Sequence, residues 1–542
     1  MNARLVAALD SAVEACLLAL AFTLPLAVHL KAYDPFALKA ALLAGGSALA
    51  VGLWLARAIE AGRLEIPAPR AGLAGCGAAF LIWTVLRSGD AGIVRAAGPA
   101  LFLIVLLGPG AAGFSRSLSW ALLSSAAFAG IYALAGALGA DPLPWAPVGG
   151  TAGSMSLLAA TLLAALPLAF PLAMDPEAPL PRRALAAGLG VVCLLSLLAA
   201  AASLDASALA AAVPHKASVM GTLAGFVAQT PWLGVGGGKL PSALLWGRPA
   251  AASALLPSPI AEPLTTAAEL GLPAAALWAF LLLGSLSLAL FDARKRNAAG
   301  DGRTAALALA HAAAIALLLA AGLVSGAAYA PATGLWLWLL AGSAAALAIE
   351  DGASMVRAMA LPFPPALRRL LLVPLAAGVM AMLIAPLNGL SGQLRLNRGV
   401  AHEEAGEPER ALELYRAIRP DSAAGLQARL RGTRLLLDEE GTPAAEAARS
   451  LVAQVLAVDP RFGDAMFLRA QADRRRQSWA EAAKGYELYA YQHPVDARTY
   501  KPLAEMRQTL GDRRGAVDAA QTLVALAPDD PEAWRFYAEQ VH

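Results

Sequence analysis

Seven ionisable side chains punctuate the otherwise apolar stretch from Ser203 to Leu270: Asp205, His215, Lys216, Lys239, Arg248, Glu262 and Glu269. A lysine or arginine there could hold a phosphate as a point charge, and a carboxylate or imidazole could take a proton. Each has an ordinary alternative. A lysine in a short polar connection serves as an interface anchor, loop cations are solvated, and Glu269 orients a loop. The signatures HExxH, CxxC, GxxxxGK and GxSxG are all missing, so the common zinc, hydrolase and nucleotide chemistries have no support. Cys16, Cys76 and Cys193 each stand alone in an apolar stretch, where a free thiol behaves as a small hydrophobe. The sequence predicts no metal and no cofactor.

These residues need elements to hold them, and composition says which solvent those elements meet. Of 542 residues 58% are hydrophobic and 15% charged, and the mean hydropathy is +0.58. That charge is too sparse to cover a water-facing surface of this size and points to a membrane protein. A net charge of +3, with no basic run interleaved with aromatics, gives a nucleic-acid partner no support. Charge is also uneven: 44 of the 81 Asp, Glu, Lys and Arg residues lie from Ser391 onward. The first part should meet lipid and the last part water.

Apolar runs long enough to cross a hydrocarbon core of roughly 30 Å predict spans near 12–30, 36–58, 71–86, 97–113, 118–139, 154–174, 184–202, 264–290, 304–324, 332–350 and 370–389. Two further short spans, near 184–213 and 218–233, make the total 11 to 13. Arg294, Lys295, Arg296 and Arg303 in one short loop, and Arg357, Arg368 and Arg369 in another, mark the cytoplasmic side. The segment 233–262 then faces outward, and so does everything after the last span; in a bacterium that side is the periplasm. Trp336 and Trp338 fit an aromatic belt. His311, inside a span, fits a bundle-interior histidine on a backbone carbonyl, the alternative being a proton relay.

The charged C-terminal part repeats with a period of 34: Pro460, Pro494 and Pro528; Ala448, Ala482 and Ala516; Ala470, Ala504 and Ala538. Small residues at fixed helix positions, with Pro ending each unit, match the tetratricopeptide (TPR) pattern. Tyr486 and Trp534 take its aromatic positions. A unit around Gly399, Ala411 and Tyr415 is out of register and reads as degenerate. The fold class is therefore all-α: a polytopic transmembrane bundle over 1–389, with a large outward loop at 233–262, then a soluble TPR-type solenoid over 390–542. Ala470, Ala482, Tyr486, Pro494, Ala504, Ala516 and Pro528 are its packing positions, and its concave groove is the expected seat of a protein partner.

Three loop motifs resemble the O-antigen ligase and polymerase family of membrane glycosyltransferases. Gly150-Thr-Ala-Gly-Ser-Met-Ser-Leu-Leu-Ala159 is similar to its GTFGNPNxLA motif, Pro231-Trp-Leu-Gly-Val-Gly-Gly-Gly238 to its PxxGVGxG turn, and Glu269-Leu-Gly-Leu-Pro273 to the ExGxxG-type segment closing the large loop. Gly234, Gly236, Glu269 and Gly271 carry the loop motifs. The resemblance covers roughly residues 10–350 and implies transfer of a glycan from a polyprenyl diphosphate. It also shows departures. Ile260 stands where the family has its catalytic His, Leu204 and Asp205 where it has an Arg, and Ser154 and Ser156 where it has Asn.

The resemblance implies that Lys216, Lys239 and Arg248 would be the diphosphate contacts and Glu262 the base of a rearranged site. If active, the chain would be a GT-C-like glycosyltransferase. The expectation is an O-antigen ligase-like protein of the bacterial inner membrane with a degenerate site, handling polyprenyl-diphosphate-linked glycans for cell-envelope polysaccharide or protein glycosylation. The alternative is a non-catalytic anchor whose periplasmic repeats recruit envelope-assembly partners. A transporter would need an inverted repeat, and the sequence has none.

Overall fold

The computed structural model describes residues 3–29, 31–34, 37–67, 70–88, 92–108, 111–139, 151, 154–202, 219–237, 262–325, 330–349, 356–360, 364–420, 422–439, 441–458, 460, 462–494 and 496–541. Lys216, Lys239 and Arg248 lie outside the described residues, as do Asp205, His215, Ile260 and most of the 233–262 segment. The chain divides into two compact units, one of Met1–Leu30, Pro35–Leu240 and Pro257–Leu387, the other of Lys31–Asp34, Pro241–Leu256 and Asn388–His542.

With no water to satisfy peptide groups in lipid, apolar runs close their hydrogen bonds internally as helices. In the first unit these are α1 (Ala3–Leu26), α2 (Ala37–Ala61), α3 (Ala71–Ser88), α4 (Gly92–Leu107), α5 (Ala111–Ala137), α6 (Met155–Ala173), α7 (Leu180–Ala202), α8 (Val219–Gln229), α9 (Glu262–Leu270), α10 (Leu272–Ala298), α11 (Gly302–Ser325), α12 (Pro331–Ala348) and α13 (Pro365–Leu370). Helix α14 (Leu372–Glu404) follows. Among the described residues ten helical stretches are long and apolar enough to cross a membrane, and α4 and α8 are shorter apolar helices. The expected span 97–113 is displaced: α4 ends at Leu107, before Gly108-Pro109-Gly110. Proline removes a donor and disfavours helix in the residue before it.

One element escaped the sequence reading. Strands β1 (Arg63–Pro67) and β2 (Val356–Ala360) form an antiparallel pair, Arg63 opposite Ala360 and Pro67 opposite Val356. They join the connection after α2 to the one after α12, at the same end of the bundle as the ion pairs of Arg303 with Asp175 and Glu177 and of Arg57 with Asp10.

Helix α12 is the bundle's axis, buried from Ala332 to Leu347. Trp336 and Trp338 therefore do not form an interfacial belt. They are 0% and 7% exposed; the Trp336 indole donates to the carbonyl of Ala21 (2.9 Å), and Trp338 stacks on Phe80 with centroids 5.7 Å apart. Gly98 makes room for Trp338: a Cβ there would fall 2.2 Å from its ring. His311 is fully buried, with the Ser115 backbone among its partners, as expected, and a hydroxyl beside it: Nε2 lies 3.0 Å from Ser119 Oγ, which donates to the carbonyl of Ser115. The Ser115 hydroxyl in turn meets that of Ser343 at 2.6 Å.

The second unit consists of helix pairs. The C-terminal turns of α14 pack on α15 (Pro408–Arg416); then come α16 (Ala423–Asp438) with α17 (Thr442–Val458), α18 (Gly463–Arg475) with α19 (Trp479–Gln492), α20 (Tyr500–Thr509) with α21 (Arg513–Leu526), and finally α22 (Pro531–Val541). Ala470, Ala482, Tyr486 and Ala504 are fully buried and Ala516 nearly so. Pro494 and Pro528 stand in the turns after α19 and α21. The first pair, expected to be degenerate, is packed like the others: Ala411 is 0% and Tyr415 1% exposed, and a Cβ on Gly399 would overlap the Tyr415 ring at 2.4 Å.

Close approach inside a pair is set by small residues, and it is testable. A Cβ on Gly485 would sit 2.9 Å from that of Ala470. Gly485→Val is expected to destabilise the solenoid by about 1–3 kcal/mol, the usual cost of overpacking, read as a lower midpoint of chemical unfolding for this unit.

Candidate functional site

Among the described residues of the first unit, a polar site gathers around the Pro231–Gly237 turn. The turn needs backbone that only glycine adopts without strain: φ is +62° at Gly234, +104° at Gly236 and +90° at Gly271. It is fastened to the α9–α10 junction by Val235 N–H to the carbonyl of Ala268 (2.8 Å), Gly236 N–H to that of Glu269 (2.9 Å) and Leu272 N–H to that of Pro231 (2.7 Å). Helix α3 clasps the same turn: the Arg87 guanidinium donates to the carbonyls of Leu233 (2.8 Å) and Gly234 (3.3 Å). Gly237 N–H donates to the carbonyl of Arg87, and the Trp83 indole to that of Leu270 (2.8 Å). Two of the motifs singled out in the sequence thus meet in space, Gly234 and Gly236 against Glu269 and Gly271.

Behind the turn lies a charged trio. Arg95, from α4, is ion-paired with Glu269, whose side chain is 1% exposed. Glu262, at the start of α9, is also buried. Burial raises its pKa, Arg95 draws it down and Glu269 pushes it up again, leaving it at about 8. The shift favours the neutral acid, which can donate a hydrogen bond, over the carboxylate. Among the described residues Glu262 Oε2 and the Ser88 hydroxyl are buried with no hydrogen-bond partner. The Ser88 hydroxyl faces Gly237, where a Cβ would stand 2.1 Å away. Unsatisfied buried groups of this kind suit a polar ligand or water.

Arg87, Arg95 and Ser88 belong to the site although no sequence motif singles them out. Nothing in their local spacing marks them; Arg87 meets Leu233 across 146 residues. Of the expected phosphate contacts, Lys216, Lys239 and Arg248 are outside the described residues, so no arrangement is assigned to them. Among the described residues no group of three or more His, Cys, Asp or Glu side chains could hold a metal ion.

The raised pKa of Glu262 has a direct consequence for stability. An acid whose pKa is raised on folding adds stability that is complete below its unfolded value near 4.5 and is lost as pH rises toward about 8. Glu262→Gln is expected to remove this slope, of up to about 1.4 kcal/mol per pH unit, so that the variant gains on the native protein between pH 5 and 8. Thermal unfolding across that range checks it.

The helices define a multi-pass membrane protein that carries a TPR-type helical solenoid. No protein-family profile matches the chain, and no curated protein matches it. Among solved structures, one titled crystal structure of MamA protein is 14% identical over 28% of this chain and 80% of its own, with a TM-score of 0.25. A second, titled crystal structure of MamA, is 14% identical over 26% and 81%, with a TM-score of 0.24. The repeat architecture rests on the helix pairs themselves.

Proposed function

We propose that this is an O-antigen ligase-like protein of the bacterial inner membrane that binds a polyprenyl-diphosphate-linked glycan at the Pro231–Gly237 end of its bundle. Its site holds the lipid-linked glycan rather than turning it over, and its periplasmic solenoid recruits an envelope-assembly partner. The observation that carries the reading is where the charges go. Arg95 is committed to Glu269, Arg87 to the turn carbonyls, and burial holds Glu262 toward its neutral form. Among the described residues, the groups left to meet a ligand are the Ser88 hydroxyl and the Glu262 carboxyl, together with backbone held in place by three glycines. Such a site suits binding the oxygens of a diphosphate or sugar.

The second reading, an active ligase using Lys216, Lys239, Arg248 and Glu262, draws support from the buried Glu262 beside Arg95. A glycan-transfer assay with purified protein in nanodiscs separates the two. The proposal expects no turnover, and function in cells that survives Lys216→Ala but fails when the region after Ser391 is removed. Turnover abolished by Lys216→Ala or Glu262→Ala would establish the enzyme instead. Sidedness is checked by protease treatment of spheroplasts, where the solenoid should be cut without lysis.

A further inference from the structure

Helices α19, α20 and α21 enclose an open groove of about 480 Å³, walled by Glu487 and Tyr491 on one side and Asp518 and Thr522 on the other. It lies between the second helices of two consecutive pairs, with Leu503 and Tyr500 of the intervening α20 as floor. The ring of Tyr500 is fixed, because its hydroxyl donates to the carbonyl of Pro494 (2.6 Å). Tyr491 is 85% exposed, a large aromatic face turned to solvent.

The charges of the groove choose its occupant. Its one cation among the described lining residues, Arg507, is already engaged: Nε and Nη2 donate to Glu487 Oε1 at 3.1 and 2.9 Å, and Nη1 donates to the carbonyl of Gly515 at 3.0 Å. Glu487 Oε2 takes neither of these bonds. The exposed carboxylate of Asp518, on the facing wall, has no partner among the described residues. An anionic ligand would meet two carboxylates and, among the described lining residues, only a cation already paired with Glu487. A lysine or arginine side chain would find two acceptors, apolar floor for its stem and an aromatic face for its charge.

We propose that this groove binds a basic segment of a partner protein, with a Lys or Arg side chain lying across Tyr491 and reaching Asp518 and Glu487. The inference rests on the reading of the solenoid as a recruiting module and names the chemistry of what it recruits.

The test uses the full-length protein in phosphatidylcholine nanodiscs, which carry no net charge to attract a peptide. The probes are two fluorescein-labelled peptides, Gly-Leu-Lys-Tyr-Lys-Leu-Gly and the same peptide with Glu for each Lys, followed by fluorescence anisotropy. The expected result is saturable binding of the Lys peptide alone, weakened at least tenfold by Asp518→Arg and several-fold by Tyr491→Ala, and weakened by salt. Asp518→Asn, which keeps shape and removes charge, should fall in between, with circular dichroism unchanged. No saturable binding, equal binding of the Glu peptide, or a Lys-peptide affinity unmoved by Asp518→Arg would overturn it. Cross-linking in envelope extracts separates this failure from that of the wider reading. If the native protein and Asp518→Arg capture the same partner, the groove is wrong and recruitment stands; if neither captures any, recruitment itself falls.

Discussion

Replacing Glu269 with alanine is expected to destabilise the membrane unit by about 3–5 kcal/mol, the cost of leaving one member of a buried ion pair without the other. The Glu269 side chain is almost wholly buried and that of Arg95 only 15% exposed, so little water could take the place of the lost carboxylate. Glu262 would not replace the lost partner cheaply, because burial favours its neutral form. The effect should appear as a large fall in the thermal midpoint in nanodiscs, with the solenoid's own transition unmoved. A double replacement, Arg95→Met with Glu269→Leu, should recover most of the loss, since an apolar pair of similar volume avoids desolvation altogether. If Glu269→Ala were as stable as the native protein, the ion pair would not be what holds α4 to α9.

The second large effect is expected at Gly234. Its φ of +62° is rare for any residue with a side chain and is an outlier for a β-branched one. A Cβ there would also come within 2.4 Å of the carbonyl carbon and oxygen of Glu269, which are backbone atoms and cannot rotate away. Gly234→Val therefore adds a steric overlap to conformational strain of roughly 1–3 kcal/mol. The turn should detach from α9 and α10, breaking the bonds from Val235 and Gly236. Binding of a lipid-linked glycan should be lost while the solenoid still folds. Limited proteolysis would show the change as new cleavage near Thr230–Gly237. Gly72, whose Cβ would meet nothing within 4 Å, provides the control: Gly72→Ala should be silent.

Span positions and repeats were legible in the sequence because both signals are local. An apolar run must become a helix in lipid, and a period of 34 with Ala at fixed places must become stacked helix pairs. The first pair was misjudged for an instructive reason. Gly399, Ala411 and Tyr415 have the same internal spacing as Ala470, Ala482 and Tyr486, but the chain between the two sets is three residues longer than two periods. Register across units failed while register within the unit held. The axis helix α12 hid its burial for a different reason: it is apolar all round, so no polar face reveals which of its sides meets protein and which meets lipid. The site was half legible. Its glycines announce a turn, whereas Arg87 and Arg95 belong to it only through contacts made far along the chain.

Binding of a polyprenyl-diphosphate-linked oligosaccharide to the purified protein in nanodiscs, followed by native mass spectrometry, tests the central claim most directly. The account predicts one saturable site, competed by free polyprenyl diphosphate, lost in Gly234→Val, and showing no glycan transfer on incubation with an acceptor. Failure to bind above a matched phospholipid control, or release of polyprenyl diphosphate with transfer of the glycan, would contradict it.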